Sequence, residues 1–317
     1  MGPVIVLLPV YDDWGALSLV LERLDGALAR TGLAAEVVVV DDGSPAPAAP
    51  FEPGDYRALG ALTVLHLGRN VGHQRAIAIG LAYVHAKRPC RAVVVMDADG
   101  EDDPEDVPRL IEAGGRDRPR IVFARRARRS EGPVFRALYR LYKLVYRLLT
   151  GDSISFGNFS IVPATLLPRL VLLSELWSHY PSAVVKARLP FETIPVQRAH
   201  RLAGRSRMSL VSLVLHGLGG IAAHGDVIGV RALLGTLVAI VLCLVGIAVV
   251  VGIRLATDLA IPGWASYVVG LLVAILLQTV SLSLVFIFMI LNSRNYSAVI
   301  PRRDYHDYVA SEERLRA

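Results

Sequence analysis

The chain has 317 residues, 53% of them hydrophobic, and a formal charge of +6, with a mean hydropathy of +0.47. That length allows one large domain or two modest ones. Two cysteines, Cys90 and Cys243, exclude a disulfide framework and a cysteine zinc site.

Pro3 to Tyr11 (PVIVLLPVY) predicts a short buried strand. Its apolar core, Val4 to Leu8, is too short for a signal peptide and follows no basic stretch. The opening Met-Gly has Val6 where myristoylation needs Ser or Thr. Leu17, Val20, Leu21, Leu24 and Leu28 fall on one face of a helix over Trp14 to Arg30. Glu36 to Ser44 reads as a second strand, Pro45 to Pro53 as a loop and Leu62 to Gly68 as a third strand. A helix over Gln74 to Ala86 and a strand in Arg91 to Gly100 follow. Continuous Val/Ile runs alternating with helices predict a mainly parallel sheet covered on both faces. Ligands bind such sheets beyond the carboxyl ends of the strands. Asp41, Asp42, Asp97 and Asp99 all lie at such ends and are expected in one crevice.

The stretch VVVMDADGEDDPED packs seven carboxylates into ten positions, Asp97 to Asp106. Asp102, Asp103, Glu105 and Asp106 around Pro104 suit a helix N-terminus. Asp97 and Asp99 precede that turn, and with Glu101 they offer hard oxygen ligands for Mg²⁺ or Mn²⁺ shared with phosphate oxygens.

Eleven Arg or Lys residues between Arg116 and Arg147 face only Asp117 and Glu131. Within Phe135 to Leu149, Arg136, Arg140, Lys143 and Arg147 stack along one helix stripe, as a basic helix at an anionic headgroup surface would. Met208 to Ile221 is apolar-rich and is expected at the membrane interface. Residues 232–253 and 264–291 contain no charge, and each exceeds the roughly 20 residues that span a bilayer core. Arg231 precedes the first span, and Arg294, Arg302 and Arg303 follow the second. The positive-inside rule therefore puts both termini in the cytoplasm. The remaining residues read as a short polar tail.

LLPVYDD, EVVVVDDGS, GRNVGHQRAIAIGL and VMDADGEDDPED together resemble the successive motifs of family-two inverting glycosyltransferases of GT-A fold. The resemblance covers roughly residues 4 to 210. With two spans after it, the layout is similar to polyprenyl-phosphate glycosyltransferases such as dolichol-phosphate mannose synthase and undecaprenyl-phosphate glucosyltransferases. It implies a Rossmann-like α/β catalytic domain over 1–206, an interfacial amphipathic segment over 207–230, a transmembrane hairpin over 231–293 and a cytoplasmic tail over 294–317.

By the same resemblance, Pro9, Tyr11 and Asp13 line the nucleotide pocket, with Asp13 in place of a more usual Glu. Asp42 contacts the base, Asp41 lies beside it, and Gly72 lets the backbone approach the nucleotide. Asp97 and Asp99 match the DxD metal motif, and Glu101 stands where a Gln often completes the site. Arg125 and Arg136 match phosphate-holding arginines. In RAHRLAGRSRMS, Arg198, Arg201, Arg205 and Arg207 are implied on the acceptor side. One stretch departs from the pattern: in SISFGNFS, Ser155 and Asn158 replace acidic residues and Ser160 replaces an Arg.

The implied reaction moves one sugar from a UDP- or GDP-sugar to a polyprenyl phosphate, with inversion, using Mg²⁺ or Mn²⁺ at the cytoplasmic membrane face. A phosphate monoester has a second pKa of about 6, so such an acceptor can attack without a general base. The implied partners are the nucleotide sugar, the lipid and the membrane, with no nucleic acid, in a homo-oligomer packed through the hairpin. The alternatives are another lipid acceptor, the start of a polysaccharide, or a non-catalytic nucleotide-binding membrane scaffold. The Q-x-x-R-W motif of processive synthases does not occur.

Overall fold

The computed structural model describes residues 2–45, 55–115, 118–126, 144–151, 156–197, 202, 221, 223–257, 263–295 and 299–316. These fall into two compact units. One comprises Met1–Leu144, Asp152–Ala223 and Ala298–Ala317; the other comprises Val145–Gly151 and His224–Ser297.

The first unit is an α/β sandwich around one mixed sheet. Its strands are β1 (Val4–Val10), β2 (Ala35–Asp41), β3 (Leu59–Leu67), β4 (Ala92–Val95), β5 (Ile121–Arg126), β6 (Ser160–Pro163), β7 (Phe191–Val196) and β8 (Val309–Arg316). They lie in the order β7-β5-β6-β4-β1-β2-β3-β8. Of the seven strand pairings, the three among β4, β1, β2 and β3 are parallel, as is β5 with β7. β6 and β8 run antiparallel to their neighbours. The carboxyl ends of β1 to β5 and the start of β6 therefore share one edge.

β1 is buried along its whole length, because helices cover both faces. Helix α1 (Trp14–Arg30) lays Leu17, Val20, Leu21, Leu24 and Leu28 on one face. Helix α2 (His73–Lys87) lies on the other with Ala76 to Val84 buried without a break. A Cβ at Gly80 would stand 2.5 Å from Leu7 Cδ1 and 2.8 Å from Val40 Cγ2, so α2 packs closer than any side chain there would allow. Each fully buried Val or Leu contributes about 1.5–3 kcal/mol.

The residues read as a polar tail are part of this sheet. After a turn at Pro301–Asp304, β8 pairs with the outer edge of β3. The Tyr308 ring packs tilted against Trp177, centroids 4.8 Å apart, and its carbonyl accepts the Gly68 N–H at 3.0 Å. The sequence hid this strand because an edge strand tolerates charge: Glu312, Glu313 and Arg314 protect the open side.

In the second unit two helices, Gly225–Ala256 and Trp264–Asn295, are long and apolar enough to cross a membrane. Each has 32 residues, about 48 Å at 1.5 Å per residue, and so extends past the spans expected at 232–253 and 264–291. They run antiparallel. Ser283 Oγ donates to Thr236 Oγ1 (2.7 Å), and a Cβ at Gly246 would sit 3.2 Å from Leu272 Cδ1. Thr236, Thr279 and Ser281 satisfy their hydroxyls on carbonyls of their own helix, as an apolar solvent requires. Arg231 donates to the Leu148 and Leu149 carbonyls (3.0 and 3.1 Å), capping the helical residues 144–150. The rest of the basic helix, 135–143, and the interfacial segment at Met208 to Gly220 lie outside the described residues.

Candidate active site

The carboxyl edge of the sheet holds a cleft of about 210 Å³ lined by Pro9, Val10, Tyr11, Asp42, Asn70, Gly72 and His73. Hydrogen bonds from strand ends to loop backbone shape it. Asp42 Oδ1 accepts the Val71 N–H (2.7 Å) and Oδ2 the Gly72 N–H (2.9 Å). Burial pushes the Asp42 pKa up, against the pull of those two N–H groups and of His73, and Asp41 adds to the rise. Asp41 serves the turn instead. Its Oδ1 accepts the Ser44 N–H (3.0 Å) and hydroxyl, and its Oδ2 lies 2.9 Å from His66 Nδ1. Ser44 Oγ in turn accepts the Asp12 N–H (2.8 Å). Gly43 (φ +70) stands so close to Arg69 that a Cβ would come 2.5 Å from that residue's carbonyl carbon. Gly72 (φ +94) differs, since a Cβ there would meet nothing and would project into open space.

The acidic turn follows β4. Asp102, expected to serve a helix N-terminus, instead accepts the Asp97 N–H on Oδ2 (3.1 Å) and closes the turn. Asp103 does cap the next turn, accepting the Glu105 N–H (3.1 Å). Asp99 Oδ1 accepts the Glu101 N–H (2.9 Å). Gly100 (φ +81) sits under Leu202, whose Cγ lies 2.5 Å from the place of a Cβ, and the Leu202 N–H donates to the Asp99 carbonyl (3.2 Å).

Asp97 and Asp99 are half-buried, and their oxygens suit a hard cation. Among the described residues no three His, Cys, Asp or Glu side chains converge to hold a metal alone. Glu101 therefore does not complete a ready-made cage with Asp97 and Asp99. Two carboxylates do fit Mg²⁺ or Mn²⁺, which keep most of their six positions for water and substrate phosphate.

His73, the first residue of α2, joins the cleft to this turn. Its Nε2 lies 3.1 Å from Asp97 Oδ1 and 3.0 Å from Asn158 Nδ2. Desolvation alone would lower the pKa of the partly exposed His73 ring, but Asp97, Asp102 and Asp42 outweigh it and leave the imidazole raised. Asn158 Oδ1 accepts from Gln74 Nε2 (3.0 Å). Ser160, standing in place of an Arg, is fully buried and bonds the Asn158 carbonyl and the Tyr180 hydroxyl, each at 2.8 Å.

Of the residues expected here, Pro9, Tyr11, Asp42 and Gly72 line the cleft, and Asp97, Asp99 and Glu101 form the adjoining turn. Asp13 precedes α1 without capping it through its side chain, and Asp41 turns to Ser44 and His66. Arg125 is exposed at the carboxyl end of β5, in register with Pro195. Arg136, Arg198, Arg201, Arg205, Arg207 and Ser155 lie outside the described residues. His73, Gln74 and Asn70 went unassigned in the sequence. The signal for His73 was its place after Gly72, at the exposed start of a helix whose next eight residues from Ala76 are apolar or Gly.

Comparison with known proteins identifies the family. The family described as Glycosyl transferase family 2 matches residues 5–172. An undecaprenyl-phosphate 4-deoxy-4-formamido-L-arabinose transferase of Sodalis glossinidius is 29% identical over 216 residues, covering 66% of this chain and 64% of that protein. Its counterpart in Pseudomonas aeruginosa is 30% identical, covering 66% and 62%. The match thus spans less than two thirds of these relatives' length. An uncharacterised glycosyltransferase of Bacillus subtilis is 25% identical over 83% of this chain and 81% of its own. Among solved structures, glucosyl-3-phosphoglycerate synthase of Mycobacterium tuberculosis, in complex with Mn²⁺, UDP-glucose and phosphoglyceric acid, shares the fold. Its TM-score is 0.50 at 19% identity, covering 72% of this chain and 80% of that one.

Proposed function

This chain belongs to glycosyl transferase family 2, and we propose that it moves one sugar from a nucleoside diphosphate sugar to a polyprenyl phosphate, inverting the anomeric carbon. The observation that carries the reading is the junction of a Gly72-lined cleft with the Asp97–Asp99 turn on one sheet edge. The names of the arabinose-transferase relatives support a polyprenyl phosphate acceptor.

In this reading the base and ribose lie against Pro9, Tyr11, Asn70 and the open side of Gly72. Asp42 holds the loop of Val71 and Gly72 in place for them. Asp97 and Asp99 would hold Mg²⁺ or Mn²⁺, which would supply Lewis-acid stabilisation of the leaving nucleoside diphosphate. His73 and Asn158 meet the sugar. The arginines, Arg125 among them, hold the acceptor phosphate. A dianionic acceptor phosphate needs no proton removed, so an Asn at position 158 is compatible with turnover.

The return of residues 298–317 to the same folded unit as residues 1–144 supports an even number of membrane crossings. With Arg231, Arg302 and Arg303 flanking the hairpin, both termini and the catalytic unit are assigned to the cytoplasmic face.

The test is purified protein in detergent with undecaprenyl phosphate, Mg²⁺ or Mn²⁺ and a panel of uridine and guanosine diphosphate sugars, read by glycolipid mass and released nucleoside diphosphate. Turnover with one donor, abolished by EDTA and by Asp99→Ala, is the expected result. Metal-dependent nucleotide binding with no glycolipid from any donor overturns the reading in favour of a different acceptor or a non-catalytic scaffold.

A further inference from the structure

In the helix Trp264–Asn295 one face is already used. Thr279 and Ser283 are buried, Ser283 bonds Thr236 of the other helix, and Leu272 lies over Gly246. With Leu276 these residues recur at alternating steps of four and three, the spacing of a packed helix seam. A second stripe with the same spacing runs through Tyr267, Leu271, Ala274, Gln278, Ser281 and Val285. It lies about 150° round the helix from the first, and all six residues are exposed.

Gln278 is out of place there as a lipid-facing residue. It stands fourteen residues after Trp264 and thirteen before Leu291, the ends of the uncharged stretch. That is about 20 Å from either end, the middle of a bilayer core about 30 Å thick. The hydroxyls of Thr279, Ser281 and Ser283 find acceptors inside the hairpin. The Gln278 amide is exposed and bonds none of the described residues. Its side chain cannot reach a headgroup about 15 Å away, and hydrocarbon tails offer it neither donor nor acceptor.

We infer that Gln278 is the central contact between two copies of this chain, whose amides pair reciprocally across a two-fold axis along the membrane normal. An amide carries its own complement, one N–H donor for each carbonyl acceptor. Copies inserted under the same flanking arginines share one orientation, so each Gln278 lies at the same depth and meets its equivalent. A two-fold interface brings a residue on its axis against itself. Ala274 and Ser281, one turn away on either side, are small enough to let the two helices approach. A hydroxyl or amide elsewhere on a different membrane protein would have to match that depth by coincidence. The inference rests on the hairpin crossing a membrane and is independent of the sugar and the acceptor.

Two experiments on the full chain in liposomes test it. The first dilutes donor- and acceptor-labelled copies with lipid and reads association by fluorescence energy transfer. Gln278→Leu, which keeps the span apolar, is expected to weaken association about tenfold. Gln278→Asn, shorter but still self-complementary, should recover part of the loss. The second leaves Gln278 in place and traps the contact in a chain carrying Cys90→Ser and Cys243→Ala. Ser281→Cys should oxidise with copper phenanthroline to a species of twice the mass. Val238→Cys should not, although the Thr236–Ser283 contact puts exposed Val238 level with Ser281 on the other helix.

A wild type that stays monomeric at high protein-to-lipid ratio overturns the inference. So does unchanged association in Gln278→Leu, or trapping through Val238→Cys but not Ser281→Cys. A Ser281→Cys adduct of any mass other than twice the chain, formed in native membranes, would make the partner a different protein and also overturn it. Trapped dimers without glycolipid formation leave this inference standing while the transferase reading fails. Glycolipid formation by a chain that stays monomeric does the opposite.

Discussion

Asp41–Asp42 and Asp97–Asp99 stand at equivalent places, each pair following a parallel strand at the same edge of the sheet. Their surroundings differ. Asp41 and Asp42 are 6% and 4% exposed and hold two loops by accepting N–H groups and a hydroxyl. The Asp97 side chain is 29% exposed, beside a histidine at the mouth of the cleft. The first pair holds loop backbone around the pocket, and the second faces His73 and the Glu101 N–H at the acidic turn. Residue type and strand position alone do not separate these surroundings.

Substituting one member of each pair breaks the comparison open. Asp99→Asn is expected to cut transfer on the order of 10³-fold, because a Lewis acid is worth several kcal/mol at a developing charge. The melting temperature should hold or rise, since neutralising one carboxylate relieves repulsion within the acidic turn. Glycolipid formation and a thermal melt on the same preparation check both parts. Asp42→Asn is expected to do the reverse in emphasis. Its amide nitrogen must face either the Val71 or the Gly72 N–H, donor against donor, at a cost of about 1–3 kcal/mol. The melt should drop by roughly 5 °C, with activity falling only as nucleotide affinity falls. A stable Asp42→Asn, or an unfolded Asp99→Asn, would reverse the assigned roles.

Much of this edge was legible in advance. The runs of β1, β2 and β4 and the spacing of α1 are local signals, and the parallel topology sends their acidic ends to one place. Three things were not local. β8 pairs with β3 across more than two hundred residues, and its charges made it read as a solvated tail. Asp102 belongs to Asp97 rather than to the following helix, a choice made by turn geometry. Gln74 bonds both the Tyr180 N–H and the Asn158 amide, joining three segments that sequence alone cannot bring together.

Gly72→Ala sharpens the same contrast through backbone. At φ +94 and ψ 149, a region essentially reserved for glycine, an alanine is strained by about 1–3 kcal/mol, and its methyl enters open space in the cleft. Nucleotide affinity is expected to fall about tenfold with a small loss of stability, as measured by calorimetry and by melt. Gly43→Ala, whose Cβ would strike the Arg69 backbone, is expected to lose folding first. Equal effects at the two glycines would mean that Gly72, like Gly43, is there for the fold.

Glu175 provides a third kind of carboxylate, one whose partner is a cation of its own chain. Lys186 Nζ lies 2.9 Å from it, with the two side chains 24% and 27% exposed. Burial pushes the Glu175 pKa up, but the Lys186 hydrogen bond and charge, with backbone and Ser174 contacts, outweigh it and hold the value below the ordinary 4.5. A depressed carboxylate contributes stability above its unfolded pKa and loses it as pH falls through the folded value. Glu175→Gln should therefore cost up to about 1 kcal/mol at pH 7, and the gap to wild type should close as pH drops below 4.5. Denaturant unfolding at the two pH values measures it.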